Sequence, residues 1–325
     1  MTAPPQNKVQ VVYVSQQSTP ESYEAKGRRT YLLRALIAPV SAMRWSRYLT
    51  TFHSRVEAPA PVARALSKPL RSYLHRGFWP HKRVSVLMET YDWLETRFAK
   101  PFLQRFCGDE DTLIIAIKAR KNSEYGLYLT AAVNATLQRE GEVSIYCARS
   151  PSDEKLCRAA FSIASVGGRK VLVIGGMQGP SADHKREVID ATRELYGLRP
   201  KDAVLLAIRA FAAEAGIAEI HAVSDANHVL SRLNNKTKFS SYDSYWLERG
   251  AKPGGPFGFM FEPLAMGEPD TSKRYAVKFA IVAAANAFVR GHASAEGYNP
   301  RPLSAPATSS STAGSSIVAG IAQGS

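Results

Sequence analysis

The sequence has few cysteines, no predicted secretory signal and few acidic residues in its first third. Its three cysteines, Cys107, Cys147 and Cys157, form no CxxC pair, and their odd number argues against a disulfide framework. A reducing compartment is the simpler interpretation, so we expect a cytoplasmic protein. The first 20 residues lack a basic start followed by an apolar block, so no secretory signal is predicted.

Long apolar runs and familiar catalytic motifs are also missing. The best candidate for a membrane span, Ala276 to Val289, has 14 residues and contains Lys278, whereas a span needs about 20 residues. No Walker loop, dinucleotide-binding fingerprint or Ser–His–Asp set can be assembled from the sequence. His221 and His228 lack the spacing of metal ligands on a strand, so we expect no metal site.

Positive charge is abundant and lies mainly in the first third. The 325 residues carry a net charge of +14, of which +11 falls in residues 1–105. Such a field attracts phosphates, nucleic acid or an anionic membrane. No groove-entering motif accompanies the charge, so specific nucleic-acid binding is not expected. We expect residues 28–83 to face an anionic membrane surface, which would make the protein peripheral at the inner membrane.

Composition divides the chain into four parts. Residues 1–27 are polar and contain prolines, and we expect them to be disordered. Residues 28–106 are predicted to form a basic helical subdomain, and residues 107–290 an α/β core. Residues 291–325 are a mixture of Ala, Ser, Thr, Gly and Pro that cannot bury enough apolar surface to become ordered.

The segment from Thr30 to Phe52 is predicted to be a helix that Pro39 breaks or kinks. Its large apolar residues are interleaved with arginines, the apolar ones being Leu32, Leu33, Leu36, Ile37, Met43, Trp45, Tyr48 and Leu49 and the arginines Arg34, Arg44 and Arg47. A basic stripe with Trp and Tyr is typical of a helix that lies on a membrane surface. The alternative is a helix of the domain whose arginines are merely solvated.

Apolar spacing gives the remaining elements. Val84 to Phe106 is predicted to be a helix that ends at Pro101. Four β-rich runs then predict an antiparallel meander: Leu113 to Ile117, Leu127 to Val133, Glu142 to Ala148 and Ala159 to Val166. Later in the chain, two segments are interpreted as strands or as a strand and a turn, namely Phe239 to Glu248 and Phe257 to Leu264. Ser272 to Val289 is predicted to be a helix whose inward residues are Ala276, Phe279, Ala280, Ala283 and Ala287.

The centre of the chain predicts a strand–helix–helix–strand unit. Val171 to Ile174 is an apolar run stopped by two glycines, typical of a strand covered on both faces. An amphipathic helix follows, and a second helix begins at Pro200, where a first turn tolerates the missing N–H. Ile220 to Val223 is the second strand.

Ligands of open α/β sheets gather where strands end and helices begin. Two full-length antiparallel helices would leave the two central strands antiparallel. We therefore expect the first helix to lie across the sheet, as an excursion from the direct connection, and the two strands to be parallel. The polar strand ends and the start of the second helix then converge. The predicted ligand-binding residues are Gly176, Gln178, Arg199, Lys201, Ser224, Asp225 and Asn227, with His228 as the candidate catalytic residue.

Each of these residues also has a structural interpretation. Gln178 could contact a ligand or stabilise a tight turn. Arg199 and Lys201 could bind phosphate or simply face solvent at a helix start. His228 could be a general base or a structural histidine that bonds a backbone carbonyl.

Four runs of sequence, IGGMQGP, ATRELYGLRPKDAVL, HAVSDANHV and YDSYWLERG, resemble the VirK/YbjX family. The resemblance extends from about Thr30 to Val289. That family has no settled biochemical activity. It implies a bacterial factor in envelope physiology, virulence or the stress response.

The order of elements also resembles the GNAT superfamily of acyltransferases. An antiparallel meander followed by strand, helix and strand implies a GNAT-like mixed sheet, with acyl-coenzyme A as the cofactor and its pyrophosphate on backbone N–H groups. The segment Tyr196 to Lys201 departs from that pattern, because it has one glycine and a proline where the GNAT phosphate loop is glycine-rich. An enzyme of this class would be an acyltransferase.

Overall fold

The computed structural model describes residues 31–133, 136–150, 154–180, 184–230, 241–262, 264 and 270–294. The predicted disordered segment 1–27 and the tail beyond residue 294 lie outside the described residues. Helix α1 covers residues 31–35 of the described chain. The later helices are α2 (Pro39–Arg55), α3 (Ala63–Leu66), α4 (Pro80–Arg97), α5 (Lys100–Cys107), α6 (Lys185–Glu194), α7 (Pro200–Glu214), α8 (Tyr242–Glu248) and α9 (Lys273–Gly291). The strands are β1 (Thr112–Lys118), β2 (Glu124–Ala131), β3 (Val143–Ser150), β4 (Glu154–Val166), β5 (Arg169–Gln178), β6 (Glu219–Val223), β7 (Lys252–Gly254) and β8 (Gly258–Phe261).

The strands form one mixed sheet in the order β1-β2-β3-β4-β5-β6-β8-β7. Neighbours are antiparallel except β5 and β6, which are parallel from Val171↔Glu219 to Ile174↔Ala222. The predicted meander and the parallel central pair are both confirmed, and the fold is a mixed α/β fold with helices at the N-terminal side.

The crossover between β5 and β6 contains both predicted helices. Helix α6 ends near β2, where the Tyr125 hydroxyl donates to Glu194 and the Arg120 guanidinium lies 4.7 Å from the centre of the Tyr196 ring. Helix α7 then begins beside the end of β5, because a Cβ at Gly179 would lie 3.8 Å from Lys201 Cε. Helix α6 is thus the excursion that lets the two strands run parallel.

The N-terminal helices share one core with the sheet. Trp45, Leu49 and Phe52 of α2 are fully buried in the same apolar cluster as the central strands. Helix α4 lies against β4, where the Thr90 hydroxyl donates to Ile163 O (3.1 Å) and accepts from Ile163 N (3.0 Å). Among the described helices, none combines the length and the hydropathy that crossing a bilayer requires.

A buried ion pair joins the helical layer to the sheet. Lys68 Nζ lies 2.7 Å from a carboxylate oxygen of Glu142, and both side chains are more than nine-tenths buried. The Tyr91 hydroxyl donates to the same carboxylate at 3.0 Å, and Ser162 Oγ accepts from Glu142 N. Removing one partner would leave an unpaired charge buried in the core, which lowers the free energy of unfolding by about 3–5 kcal/mol in other proteins.

One predicted helix boundary and one predicted strand are wrong. Pro101 does not end a helix, since the chain is extended at Phe98 and Ala99, and Pro101 then occupies the first turn of α5, where its missing N–H costs nothing. The described part of the predicted strand Phe239 to Glu248 is helix α8. Ser241 caps that helix by accepting from Ser244 N, and Tyr242 stacks on Trp246 one turn later.

The predicted inward face of the C-terminal helix is also wrong. All five residues assigned to it, Ala276, Phe279, Ala280, Ala283 and Ala287, are exposed. The residues that α9 buries are instead Val277, Ile281, Ala285, Phe288 and Val289. Because alanines occur all around this helix, the spacing of small residues could not identify the face, whereas the larger Val, Ile and Phe side chains do.

Candidate functional site

The ends of β5 and β6 separate from each other at one rim of the sheet. Their pairing stops at Ile174 and Ala222, while β5 continues along β4 as far as Gln178. Strand β6 ends at Val223, and Ser224 N then donates to Phe257 O on the β8 side. A gap therefore opens between the two strands, and side chains from other parts of the chain fill it.

Glu140, from the connection between β2 and β3, enters this gap. A Cβ at Gly175 would collide with the backbone carbonyl oxygen of Glu140, and a Cβ at Gly176 would collide with the Glu140 carboxylate. Both glycines are therefore needed because another chain segment approaches their Cα atoms closely. The Gly-Gly pair that ends the apolar run in the sequence serves this contact.

The Glu140 carboxylate joins the two strand ends. Gln178 Nε2 donates to Glu140 Oε1 at 2.9 Å, and His228 Nε2 lies 3.2 Å from the same oxygen, off the line that a hydrogen bond prefers. Glu140 is 2% exposed and His228 is 5% exposed. His228 Nδ1 accepts from Leu230 N, so the proton of a neutral ring lies on Nε2 and faces the carboxylate. Glu140 Oε2 is buried without a hydrogen-bond partner.

Tyr242 closes the other side of the gap. The Tyr242 hydroxyl accepts a hydrogen bond from Met177 N, a backbone group of β5 that lies beyond the end of its pairing with β6. Its ring lies 5.0 Å from the centre of the His228 ring. Burial, and next the charge of Glu140, raise the pKa of Tyr242 well above its ordinary value, so the phenol keeps its proton.

The polar residues at the end of β6 are used within the fold. The Asp225 carboxylate accepts from Tyr242 N (2.9 Å) and the Ser241 hydroxyl (2.6 Å), which fixes the start of α8. Asn227 Nδ2 donates to Phe257 O, and Ser224 Oγ accepts from Asn227 N. These side chains position the rim but do not point a free polar group at a ligand.

The residues at the start of α7 lie in a neighbouring cleft of about 570 Å³. Arg199 Nη1 lies 3.2 Å from Glu248 Oε1, and Lys201 Nζ lies 5.5 Å from the centre of the Tyr245 ring. Lys185 adds a third cation. The rest of the lining is made of apolar side chains, the end of β5, two serines and the Glu248 carboxylate, and it includes Leu156, Gly179, Pro180, Val188 and Ile189. The cleft can therefore hold an anion beside an apolar group.

The structure thus brings the sequence-predicted residues to one rim, but in two separate places. Gly176, Gln178 and His228 surround Glu140 in a buried cluster, while Arg199 and Lys201 line the open cleft. A buried carboxylate against an imidazole can hold or pass a proton, but neither Glu140 nor His228 is among the residues that line the cleft. Sequence reasoning missed Glu140 and Tyr242, and the one signal for Glu140 was the Gly-Gly pair that makes room for it.

A second notable surface lies on the N-terminal helices, and we call it the α1–α2 face. Its six large apolar side chains are between 60% and 84% exposed: Leu32, Leu33, Leu36, Ile37, Val40 and Met43. A groove of about 520 Å³ runs between α1 and the start of α2 within this face. The opposite side of α2 is buried, and Trp45 Nε1 donates to Ala65 O at 2.9 Å. Helix α2 therefore has two apolar sides, of which only one meets the core.

Basic residues dominate the stretch of sequence that contains the α1–α2 face. Residues 31–83 contain ten arginines and lysines and a single acidic residue, Glu57, which gives a net charge of +9. Arg44 and Arg47 are exposed on α2 itself, and Arg34 is half-buried on α1. The face combines exposed apolar side chains with cations, as surfaces that lie on anionic membranes do.

One group of possible metal ligands occurs in the described residues. Glu154, His184 and Glu187 come within reach of a common point on the surface, and all three are partly exposed. The group lies outside both the buried cluster and the α1–α2 face. His221, by contrast, faces Glu219 and Phe257, and its distance from Glu219 Oε2 is 3.4 Å.

A family model described as "Protein of unknown function (DUF535)" matches residues 20–264. The chain belongs to this family. Among curated relatives, the uncharacterized protein YbjX of Escherichia coli (strain K12) is 23% identical over 228 residues, covering 69% of this chain and 68% of YbjX. An uncharacterized protein of Haemophilus influenzae is 23% identical over 181 residues, covering 55% of this chain and 58% of that relative. The predicted resemblance to YbjX, and to a family of unknown function, is confirmed.

The close approach of Glu140 to β5 makes Gly176 a sensitive position. We expect Gly176→Ala to lower the free energy of unfolding by about 1–3 kcal/mol, because the new methyl group must displace a buried carboxylate. Gly179→Ala is the matched control, since a Cβ there meets only the flexible end of Lys201 at 3.8 Å, and its effect should stay within about 0.5 kcal/mol. Urea denaturation measures both, and equal effects would contradict the described packing.

Proposed function

We propose that this DUF535 protein docks on anionic membrane surfaces through the α1–α2 face, as a bacterial factor in envelope physiology, virulence or the stress response. One observation carries the proposal: within the 12 residues from Leu32 to Met43, six large apolar side chains are mostly exposed, and the exposed arginines Arg44 and Arg47 follow on the same helix. An exposed apolar patch of this kind costs free energy in water, and a bilayer interface is an environment that relieves the cost.

The apolar side chains and the cations of the face contribute to the free energy of membrane binding in different ways. Apolar side chains that enter the boundary between headgroups and acyl chains are removed from water, and full burial of a Leu or Ile is worth about 1.5–3 kcal/mol. Each cation near an anionic membrane adds about 1 kcal/mol, and this part weakens with salt.

A second candidate function is acyl transfer from an acyl-coenzyme A, and one observation favours it. The parallel strands β5 and β6 separate beside the start of α7, where Lys185, Arg199 and Lys201 line a cleft of about 570 Å³. The GNAT resemblance implies a cofactor at such a place. The gap between the two strands is less suited to a cofactor, because two contacts already occupy it. The Tyr242 hydroxyl accepts a hydrogen bond from Met177 N, and Glu140 fills the space beside Gly176.

Membrane docking predicts that the full chain binds vesicles containing phosphatidylglycerol and that Leu36→Ser with Ile37→Ser weakens the binding at least tenfold. These two side chains are 78% and 84% exposed, so the double variant removes apolar surface without disturbing the core. The matched control is Leu247→Ser with Phe279→Ser, which changes two exposed apolar side chains, 52% and 58% exposed, on α8 and α9. Vesicle co-sedimentation measures the partition of each protein.

The controls separate this proposal from other uses of the face. Binding should fall as salt rises and should be weak on vesicles of phosphatidylcholine alone. The proposal is wrong if the wild-type chain ignores anionic vesicles, and also if the two double variants lose binding equally. A dimer in analytical ultracentrifugation that Leu36→Ser with Ile37→Ser dissolves, without any vesicle binding, would assign the face to a second copy of the chain.

The acyl-transfer alternative predicts a rise in melting temperature with acetyl- or longer acyl-coenzyme A. The rise should disappear in Lys201→Ala and Arg199→Ala, whose cations line the cleft, and persist in the exposed control Arg193→Ala. Differential scanning fluorimetry makes the measurement. An unchanged melting temperature at millimolar ligand would exclude the cleft as a coenzyme A site.

A further inference from the structure

Three side chains of types that ligate metals meet at the start of α6: Glu154, His184 and Glu187. Each offers one ligand atom, and the three atoms lie within 4.8 Å of one another. We propose that these residues bind a divalent transition-metal ion, with Zn²⁺ as the ion that fits them best. The inference is independent of membrane docking, because none of the three residues belongs to the α1–α2 face.

A strand and a helix hold the three side chains together. Glu154 is the first residue of β4, His184 immediately precedes α6, and Glu187 lies in the first turn of α6. Residues three apart lie on the same face of a helix, so the spacing from His184 to Glu187 places their side chains side by side. His184 Nδ1 lies 2.5 Å from Glu154 Oε1 and 3.5 Å from Glu187 Oε1.

The atoms that would contact the metal are shielded from water and lack hydrogen bonds. The three side chains are between 30% and 46% exposed. Glu154 Oε1, His184 Nδ1 and Glu187 Oε2 are nevertheless buried and, within the described residues, have no hydrogen-bond partner. The short contact between His184 Nδ1 and Glu154 Oε1 thus lies off the direction that a hydrogen bond requires. Buried polar atoms without partners are costly, and an ion bound among them would remove that cost.

Lysines and arginines do not neutralise the two carboxylates. In the part of the chain that the structure describes, the ion pairs of Glu154 and Glu187 are both with His184 and not with Lys or Arg. The neighbouring Lys155 instead lies over the Tyr146 ring, with its Nζ 4.4 Å from the ring centre. When His184 is neutral, the group carries two negative charges in a chain whose net charge is +14, and a divalent cation balances them.

One imidazole and two carboxylates favour Zn²⁺ over Mg²⁺ or Ca²⁺. The latter two are hard cations that take oxygen ligands, whereas Zn²⁺ combines His nitrogen with Glu oxygen. With bonds of about 2.0–2.2 Å, the ligand atoms of a tetrahedral zinc site are roughly 3.4 Å apart. The 3.5 Å separation fits this geometry. The 2.5 Å separation would open by about 1 Å on binding, which partly exposed side chains permit.

The proposed site borders the cleft at the start of α7. The elements that hold the ligands also line the cleft, through Leu156 of β4 and through Lys185 and Val188 of α6. Three protein ligands leave one position of a tetrahedral zinc ion open. Water would fill that position, and the cleft is the side from which an anionic ligand would replace it.

The test uses the full untagged chain, stripped of metal with EDTA and desalted. Isothermal titration calorimetry should show one Zn²⁺ per chain, bound at least about tenfold more tightly than Mg²⁺. Glu154→Gln, His184→Gln and Glu187→Gln should each weaken the Zn²⁺ affinity at least about tenfold, because loss of even an outer-shell partner costs that much. The matched control is Asp190→Asn, which removes an α6 carboxylate that faces Arg193 and should leave the affinity unchanged.

Two further readouts distinguish metal binding from a structural role. Zn²⁺ should raise the melting temperature of the wild type but not of Glu187→Gln, while the two metal-free proteins should melt together because this side chain is partly exposed. X-ray absorption at the zinc edge should show nitrogen and oxygen ligands at about 2.0–2.1 Å and no sulfur at about 2.3 Å.

Four results would overturn the proposal. They are an absence of Zn²⁺ binding, sulfur in the first coordination shell, a metal-free Glu187→Gln that melts well below the wild type, and ligand variants that lose no more affinity than Asp190→Asn. Equal affinities for Zn²⁺ and Mg²⁺ would contradict His184 as a ligand. Vesicle binding measured in EDTA tests membrane docking separately, so either proposal can fail without the other.

Discussion

Two carboxylates separated by one glycine, Glu140 and Glu142, are buried in different parts of the molecule, and the rest of the structure depends on this arrangement. Glu142 holds Lys68 and so ties the helical layer to the sheet, while Glu140 fills the gap between β5 and β6. Arg139 immediately precedes them, and its Nε donates to Ser72 O in the helical layer at 3.2 Å. Because buried charges are tolerated only with their partners in place, this short segment fixes the strand rim and the N-terminal surface relative to each other.

The two candidate functional surfaces differ in what they leave unsatisfied. At the strand rim, the polar side chains of Asp225 and Asn227 are bonded within the fold, and the gap is filled by Glu140 and Tyr242. On the α1–α2 face, six large apolar side chains are mostly exposed to water. At the strand rim the unsatisfied group is a buried carboxylate oxygen, Glu140 Oε2, whereas on the N-terminal surface it is exposed apolar area, which a bilayer interface would cover.

The sequence was sufficient for strands β1 to β6 and for the crossover, because unbroken apolar runs, glycine stops and Pro200 carry local signals that tertiary contacts did not override. It was insufficient for α8, whose aromatic residues resemble a strand until Asp225 and Ser241 supply the cap. Glu140 could not be found in advance, since its burial depends on a contact 36 residues away at Gly176. The apolar and basic pattern of the first helices was recognisable, but its exposure was not.

Hydrogen exchange of the full chain, with and without vesicles containing phosphatidylglycerol, tests membrane docking most directly. Helix α1 and the first turns of α2 expose most of their apolar side chains, so their amides should exchange rapidly in solution and become protected on vesicles. Peptides from β5 and β6 should be unchanged. Protection that is absent from residues 31–47, or that appears instead around the cleft beside Lys201, would contradict the account.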